Sequence, residues 1–104
     1  MFELNGVKYE LKMNLERLKL IEKAIGRPIL TVYTEHNGAF SIEEMEAVFM
    51  VCLKQVGSDF YCNNKQAREI FSKVIEQENG WRDVNNMIAE TLTRDTPFLF
   101  PTAV

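Results

Sequence analysis

The stretch Phe2-Glu3-Leu4-Asn5-Gly6-Val7-Lys8-Tyr9-Glu10-Leu11 decides how the rest of the chain is read. Asn-Gly between two alternating apolar and polar runs is the strongest short-range hairpin signal, because both turn residues must reach positive φ. In that register Phe2 and Leu4 share one face, and Val7, Tyr9 and Leu11 share one face of the return strand. A two-stranded hairpin is marginal by itself in water, so it must lie on an apolar platform. The helices encoded downstream are the obvious one.

Working outward, Asn14 is placed to cap a helix in which Leu15, Leu18, Ile21 and Ile25 recur at helical spacing and Leu20 widens the stripe. Gly26 is placed to end it and Pro28 prevents its continuation. Residues 29–40 admit three readings: a strand over Thr31–Thr34, a structured loop, or a short helical turn, with Asn37-Gly38 closing a turn. Ser41-Ile42-Glu43-Glu44 fits a capping box. The apolar stripe that follows, Ile42 through Val56, predicts the most buried helix, ended by Gly57. Phe60 and Tyr61 are available to plug the core. Asn63 caps a third amphipathic helix running to Glu78, stopped by Asn79-Gly80, and a fourth begins at Trp81 with Val84, Met87, Ile88 and Leu92 on one face. The expected fold is α+β, mainly α: an N-terminal hairpin and about four helices around a single core over residues 1–95.

Residues 96–104 form a tail in which Phe98, Leu99 and Phe100 stand between Pro97 and Pro101. Proline flanks disfavour helix and central strand. Such a triplet either folds back over the hairpin or a helix groove, or docks a partner.

Composition bounds the function. The chain has 104 residues and a net charge of −3, with no window that concentrates lysine and arginine, so the basic footprint of nucleic-acid binding is missing. No apolar run approaches the ~18 residues that span a bilayer, and Met1–Gly6 has neither a basic nor an apolar signal region. The expected compartment is the cytoplasm. The two cysteines, Cys52 and Cys62, read as ordinary thiols, with no ligand spacing around them. The only histidine, His36, stands beside the Asn37-Gly38 turn with no nucleophile or carboxylate placed to act with it. Glu43, Glu44 and Glu46 suit the positive end of a helix dipole. No nucleophile elbow, phosphate loop, zinc motif or dinucleotide fingerprint is present, so neither enzyme chemistry, nor a metal, nor a cofactor is expected.

The N-terminal third resembles a known family. Gly6, Tyr9 and Leu11 fit a return strand of the form Gly-x-x-Tyr-x-Leu. Glu22, Gly26, Arg27 and Pro28 fit a helix exit of the form Glu-x-x-x-Gly, then Lys or Arg, then Pro or Ser. Both are similar to the opening of tail assembly chaperones encoded by long-tailed phages, prophages and gene transfer agents. By motif the resemblance covers about the first thirty residues; beyond them it lies in element order. It implies a non-enzymatic helper made in the bacterial host cytoplasm and absent from the mature virion. Such a helper binds the tape measure protein, keeps its helical apolar surfaces soluble and assists tail-tube assembly. The family supplies no catalytic residues to carry over. Candidate client contacts are Phe98, Leu99 and Phe100, with Trp81 as an aromatic anchor or, alternatively, as a corner residue plugging the core. The rival readings are another phage interaction protein, either a head–tail connector or a host-directed inhibitor, and a small enzyme or metal-binding domain. Self-association through the hairpin's unpaired edges is also open.

Overall fold

The structure, a computed structural model, describes residues 1–100. Strands β1 (Phe2–Leu4) and β2 (Val7–Leu11) form the expected hairpin, with Phe2 opposite Tyr9 and Leu4 opposite Val7. Asn5 and Gly6 take φ of 52° and 80°, as a two-residue turn between right-twisted strands requires. Helix α1 (Leu15–Ile25) starts where the Asn14 side chain accepts the Arg17 amide at 2.9 Å. It ends at Gly26 in the left-handed region, φ 73°.

Residues 29–35, left open by the sequence, form a helix, α2 (Ile29–Glu35). Its β-branched residues would favour a strand in isolation, but Ile29 and Val32 bury one stripe in the core. The Glu22 carboxylate accepts the Ile29 amide at 2.8 Å, which satisfies an orphan donor of the first turn. Tertiary contact here overrides propensity. Asn37 and Gly38 close this helix, the Gly38 amide donating to the Tyr33 carbonyl at 2.6 Å.

Helix α3 (Ile42–Cys52) opens with the predicted capping box: Ser41 Oγ accepts the Glu44 amide and Glu44 Oε1 accepts the Ser41 amide. It does not run to Val56. It stops at Cys52, and the chain passes directly into a third strand, β3 (Leu53–Gln55), which lies against β2 with Leu53 opposite Leu11 and Gln55 opposite Tyr9. The hairpin is therefore part of a three-stranded antiparallel sheet, ordered β1-β2-β3. The physical reason is β2's outer edge, whose backbone groups require partners once covered. The Val56 amide continues the pairing, donating to the Lys8 carbonyl at 2.9 Å. Gly57, φ 86°, ends this strand rather than a helix.

Helix α4 (Asn64–Ile75) is capped by Asn63 on the Gln66 amide at 2.8 Å and stops three residues before Glu78. Helix α5 (Gly80–Asp95) follows, making five α-helices among the described residues instead of four. Gly80 is buried, and a Cβ there would overlap the Ile75 carbonyl oxygen, so only glycine lets α5 begin this close to α4. Pro97–Leu99 form a 3-10 turn with Pro97 at its first position. Proline is tolerated there, because it lacks only a donor that would have no partner.

The core is one cluster in which Phe49 of α3 stands at the centre. Its ring meets Phe71 of α4 edge-on at 5.2 Å and Phe2 of β1 at 6.0 Å, while Phe2 stacks on Tyr9 at 5.6 Å. Phe60 takes no part in it and is 80% exposed; Leu15 and Leu20 of α1 are also largely exposed, at 53% and 47%. Of the α1 stripe only Leu18 and Ile21 are buried, with Ile25 half-buried. Among the described residues no helix is long and apolar enough to cross a membrane.

One polar lock closes the structure from end to end. Asp95, the last residue of α5, accepts the Met13 amide at 2.9 Å and holds Arg94, whose Nη2 donates to the Leu11 carbonyl at 2.7 Å. Burial raises the Asp95 carboxyl, but the Arg94 guanidinium and the Met13 amide outweigh it, and the group titrates below the usual carboxylate range. Its stabilisation is therefore present above the unfolded-state pKa, about 3.9, and is lost as pH falls through the lower folded value. Asp95→Ala is expected to cost about 1–3 kcal/mol at neutral pH in urea unfolding, through the stranded Met13 amide and Arg94. The gap from the parent should close as the titration is repeated from pH 5 towards pH 2.

Candidate functional site

The residues singled out for client contact are placed differently from one another. Trp81, in the first turn of α5, is 43% exposed, and its indole N–H donates to the Phe40 carbonyl at 3.3 Å. The Phe40 loop is held from the same helix by Asn85, whose Oδ1 accepts the Phe40 amide at 2.9 Å while its Nδ2 donates to the Gly38 carbonyl at 2.8 Å. Tyr33 packs against Phe40 at 6.1 Å on one side and meets Phe100 edge-on at 5.6 Å on the other. Trp81 and Phe100 thus belong to one chain of contacts through Phe40 and Tyr33. Leu99 and Phe100 are half-buried against the core, whereas Phe98 is 62% exposed. The apolar triplet is therefore divided: two members fold back and one faces solvent. Pro101 and the rest of the tail lie outside the described residues.

A second surface has no counterpart in the sequence reading. Where α1 crosses α3, a furrow runs along their outward seam, lined by Leu20 and Ala24 from α1 and by Ala47, Met50 and Val51 from α3. Its lower end continues past Ile25 towards Ser41, with Ala24, Glu43 and Ala47 common to both parts. Ala24 and Ala47 give the lining two small side chains, one from each helix, beside the longer Leu20 and Met50. The trace in the sequence was Leu20: it sits off the stripe set by Leu18, Ile21 and Ile25, which burial alone does not explain.

Polar chemistry near the furrow is mostly committed to structure. The Arg17 guanidinium lies 3.7 Å over the Tyr61 ring, and its Nη1 donates to the Val51 carbonyl at 3.1 Å. Tyr61 in turn donates its hydroxyl to the Lys12 carbonyl at 3.2 Å, and burial raises its pKa. His36 is exposed at the end of α2. Among the described residues no three of His, Cys, Asp and Glu converge as metal ligands, and no buried side-chain polar atom lacks a partner. The geometry offers apolar and aromatic contact surfaces. No family model, curated protein or solved structure matches the chain.

The thiols differ sharply in environment. Burial pushes Cys52 up to about 12, and it raises the half-buried Cys62 as well. Since the thiolate is the reactive form, native titration with a disulfide reagent at pH 8 should modify Cys62 slowly and leave Cys52 untouched. Two thiols should react only after unfolding. Fast reaction of both in the native protein would contradict the packing around α3.

Proposed function

We propose that this chain is a tail assembly chaperone of a long-tailed phage, prophage or gene transfer agent. In this reading it is a non-enzymatic protein of the host cytoplasm that binds the tape measure protein, assists tail-tube assembly and is left out of the mature virion. The observation that carries the reading is the corner between α1 and α2, because every residue of the second resembling motif has a physical task there. Gly26 supplies the left-handed exit, its amide donating to the Glu22 carbonyl at 2.9 Å. The Glu22 side chain reaches across to the Ile29 amide. Pro28, φ −61°, ψ 134°, sets the extended step into α2, and Arg27 pairs with Glu35 at that helix's far end.

The first motif is equally concrete. Gly6 completes the hairpin turn, while Tyr9 and Leu11 are the two fully inward residues of β2. Such spacings preserve a scaffold and leave the client surface free to vary. A small acidic domain with exposed apolar furrows also suits a protein that must stay soluble while holding a helical partner.

The test is co-expression with the long helical protein encoded beside this gene. Most of that client should move from the pellet into the soluble fraction and co-purify with this chain. If the client stays insoluble and nothing co-purifies, the chaperone reading fails, and the head–tail connector and host-directed inhibitor readings move ahead.

A further inference from the structure

The furrow between α1 and α3 carries its own statement about what fills it. From Ser41 to Val51 its wall follows α3 for about 15 Å, at 1.5 Å per residue, which matches some three turns of a second helix. Its lining combines two small side chains, Ala24 and Ala47, with the longer Leu20 and Met50. That combination accepts large side chains spaced i, i+4, i+7 from a helix laid along the seam.

Charge restricts the occupant further. Three carboxylates, Glu43, Glu44 and Glu46, stand along the α3 wall. Helix-start preference accounts for Glu43 and Glu44 in the first turn, but Glu46 lies beyond it. Glu46 pairs with the Arg68 guanidinium at 4.0 Å, and Arg68 Nη2 also donates to Met50 Sδ at 3.7 Å, whereas Glu43 has no ion-pair partner among the described residues. The one cation in the lining, Arg17, is taken up by Tyr61 and the Val51 carbonyl. With Arg17 and Arg68 committed in this way and Glu44 held in the capping box, the charge left without a partner beside the furrow is the Glu43 carboxylate.

We propose that this furrow is a docking site for an amphipathic helix with lysine or arginine flanking its apolar stripe. As an account of client binding it rests on the chaperone reading; as a binding property of the surface it does not. Apolar side chains seated between Leu20 and Met50 supply the affinity, and the Glu43–Glu46 wall selects cationic flanks.

The probe is a labelled peptide of about fourteen residues, with leucines at i, i+4, i+7 and i+11 and lysines on both flanks, set against a twin carrying glutamates. The lysine peptide should bind saturably and weaken with added salt, and the glutamate twin should bind at least about tenfold more weakly. Ala47→Gln, a helix-compatible replacement for one of the two small side chains, should lower affinity by about tenfold with an unchanged circular dichroism melt. Glu43→Gln with Glu46→Gln should remove most of the salt dependence. Equal binding of the two peptides, or of the parent and the folded Ala47→Gln variant, overturns the proposal. Sedimentation that finds a dimer broken by Ala47→Gln also overturns it, in favour of a second copy as occupant. In the client assay, rescue by parent and Ala47→Gln alike removes the furrow and leaves the chaperone reading standing. No rescue by the parent removes the chaperone reading, whatever the peptides do.

Discussion

The end of α3 is the point on which the architecture depends. A helix that stops inside a protein leaves its last carbonyls without intrahelical partners, and they must be satisfied locally or not buried at all. Here three different parts of the chain meet that demand: the Leu53 amide on the Phe49 carbonyl, the Arg17 guanidinium on the Val51 carbonyl, and the Lys12 amide on the Cys52 carbonyl at 2.9 Å. Each brings an element with it. Leu53 starts β3, Arg17 belongs to α1, and Lys12 follows β2. Sheet and helices are joined at one buried helix terminus, with Cys52 and Leu53 fully enclosed beside it.

That junction also separates what was legible in the sequence from what was not. Local chemistry could be read directly: Asn14, Ser41 and Asn63 cap the helices they were expected to cap, and Asn5-Gly6 turns the hairpin. Leu53–Val56 reads in the sequence as a continuation of the helix, since Leu53 and Val56 keep the i, i+3 spacing of the stripe across Lys54 and Gln55. What decides for a strand is the open edge of β2, more than forty residues earlier in the chain. Helix α2 has the same origin: the donor left unsatisfied at Ile29 is met by Glu22, across a glycine and a proline. Phe60 was misplaced for a different reason. Its neighbour Tyr61 takes the inward position, pairing with Lys54 across the β3 edge and lying under Arg17, and the alternation leaves Phe60 outside.

The candidate contact surfaces follow the same division. Aromatic residues such as Trp81 and Phe98 draw attention in a sequence because exposed aromatics are informative, yet Trp81 and Phe100 are partly occupied in holding the Phe40 loop and Tyr33. The furrow between α1 and α3 is made of commonplace residues, and only the crossing of two helices gives Ala24 and Ala47 a shared meaning. Its acidic wall agrees in sign with the net charge of −3, so solubility and selectivity draw on the same carboxylates.

The sheet order has a consequence in time. β1 and β2 are complete by Leu11, but their third strand begins at Leu53, and the Asp95 lock on Met13 spans 82 positions. At synthesis rates of about 5–20 residues per second, roughly 2–8 seconds separate the hairpin from the strand that covers its edge. During that interval β2 presents an unpaired backbone to the crowded surroundings of the ribosome. Lys8 and Glu10, alternating with Tyr9 along that strand, keep the waiting edge charged and discourage pairing with other nascent chains. The order in which the elements leave the ribosome thus puts α5, through Arg94 and Asp95, in the position of sealing strands made some seventy residues before it began.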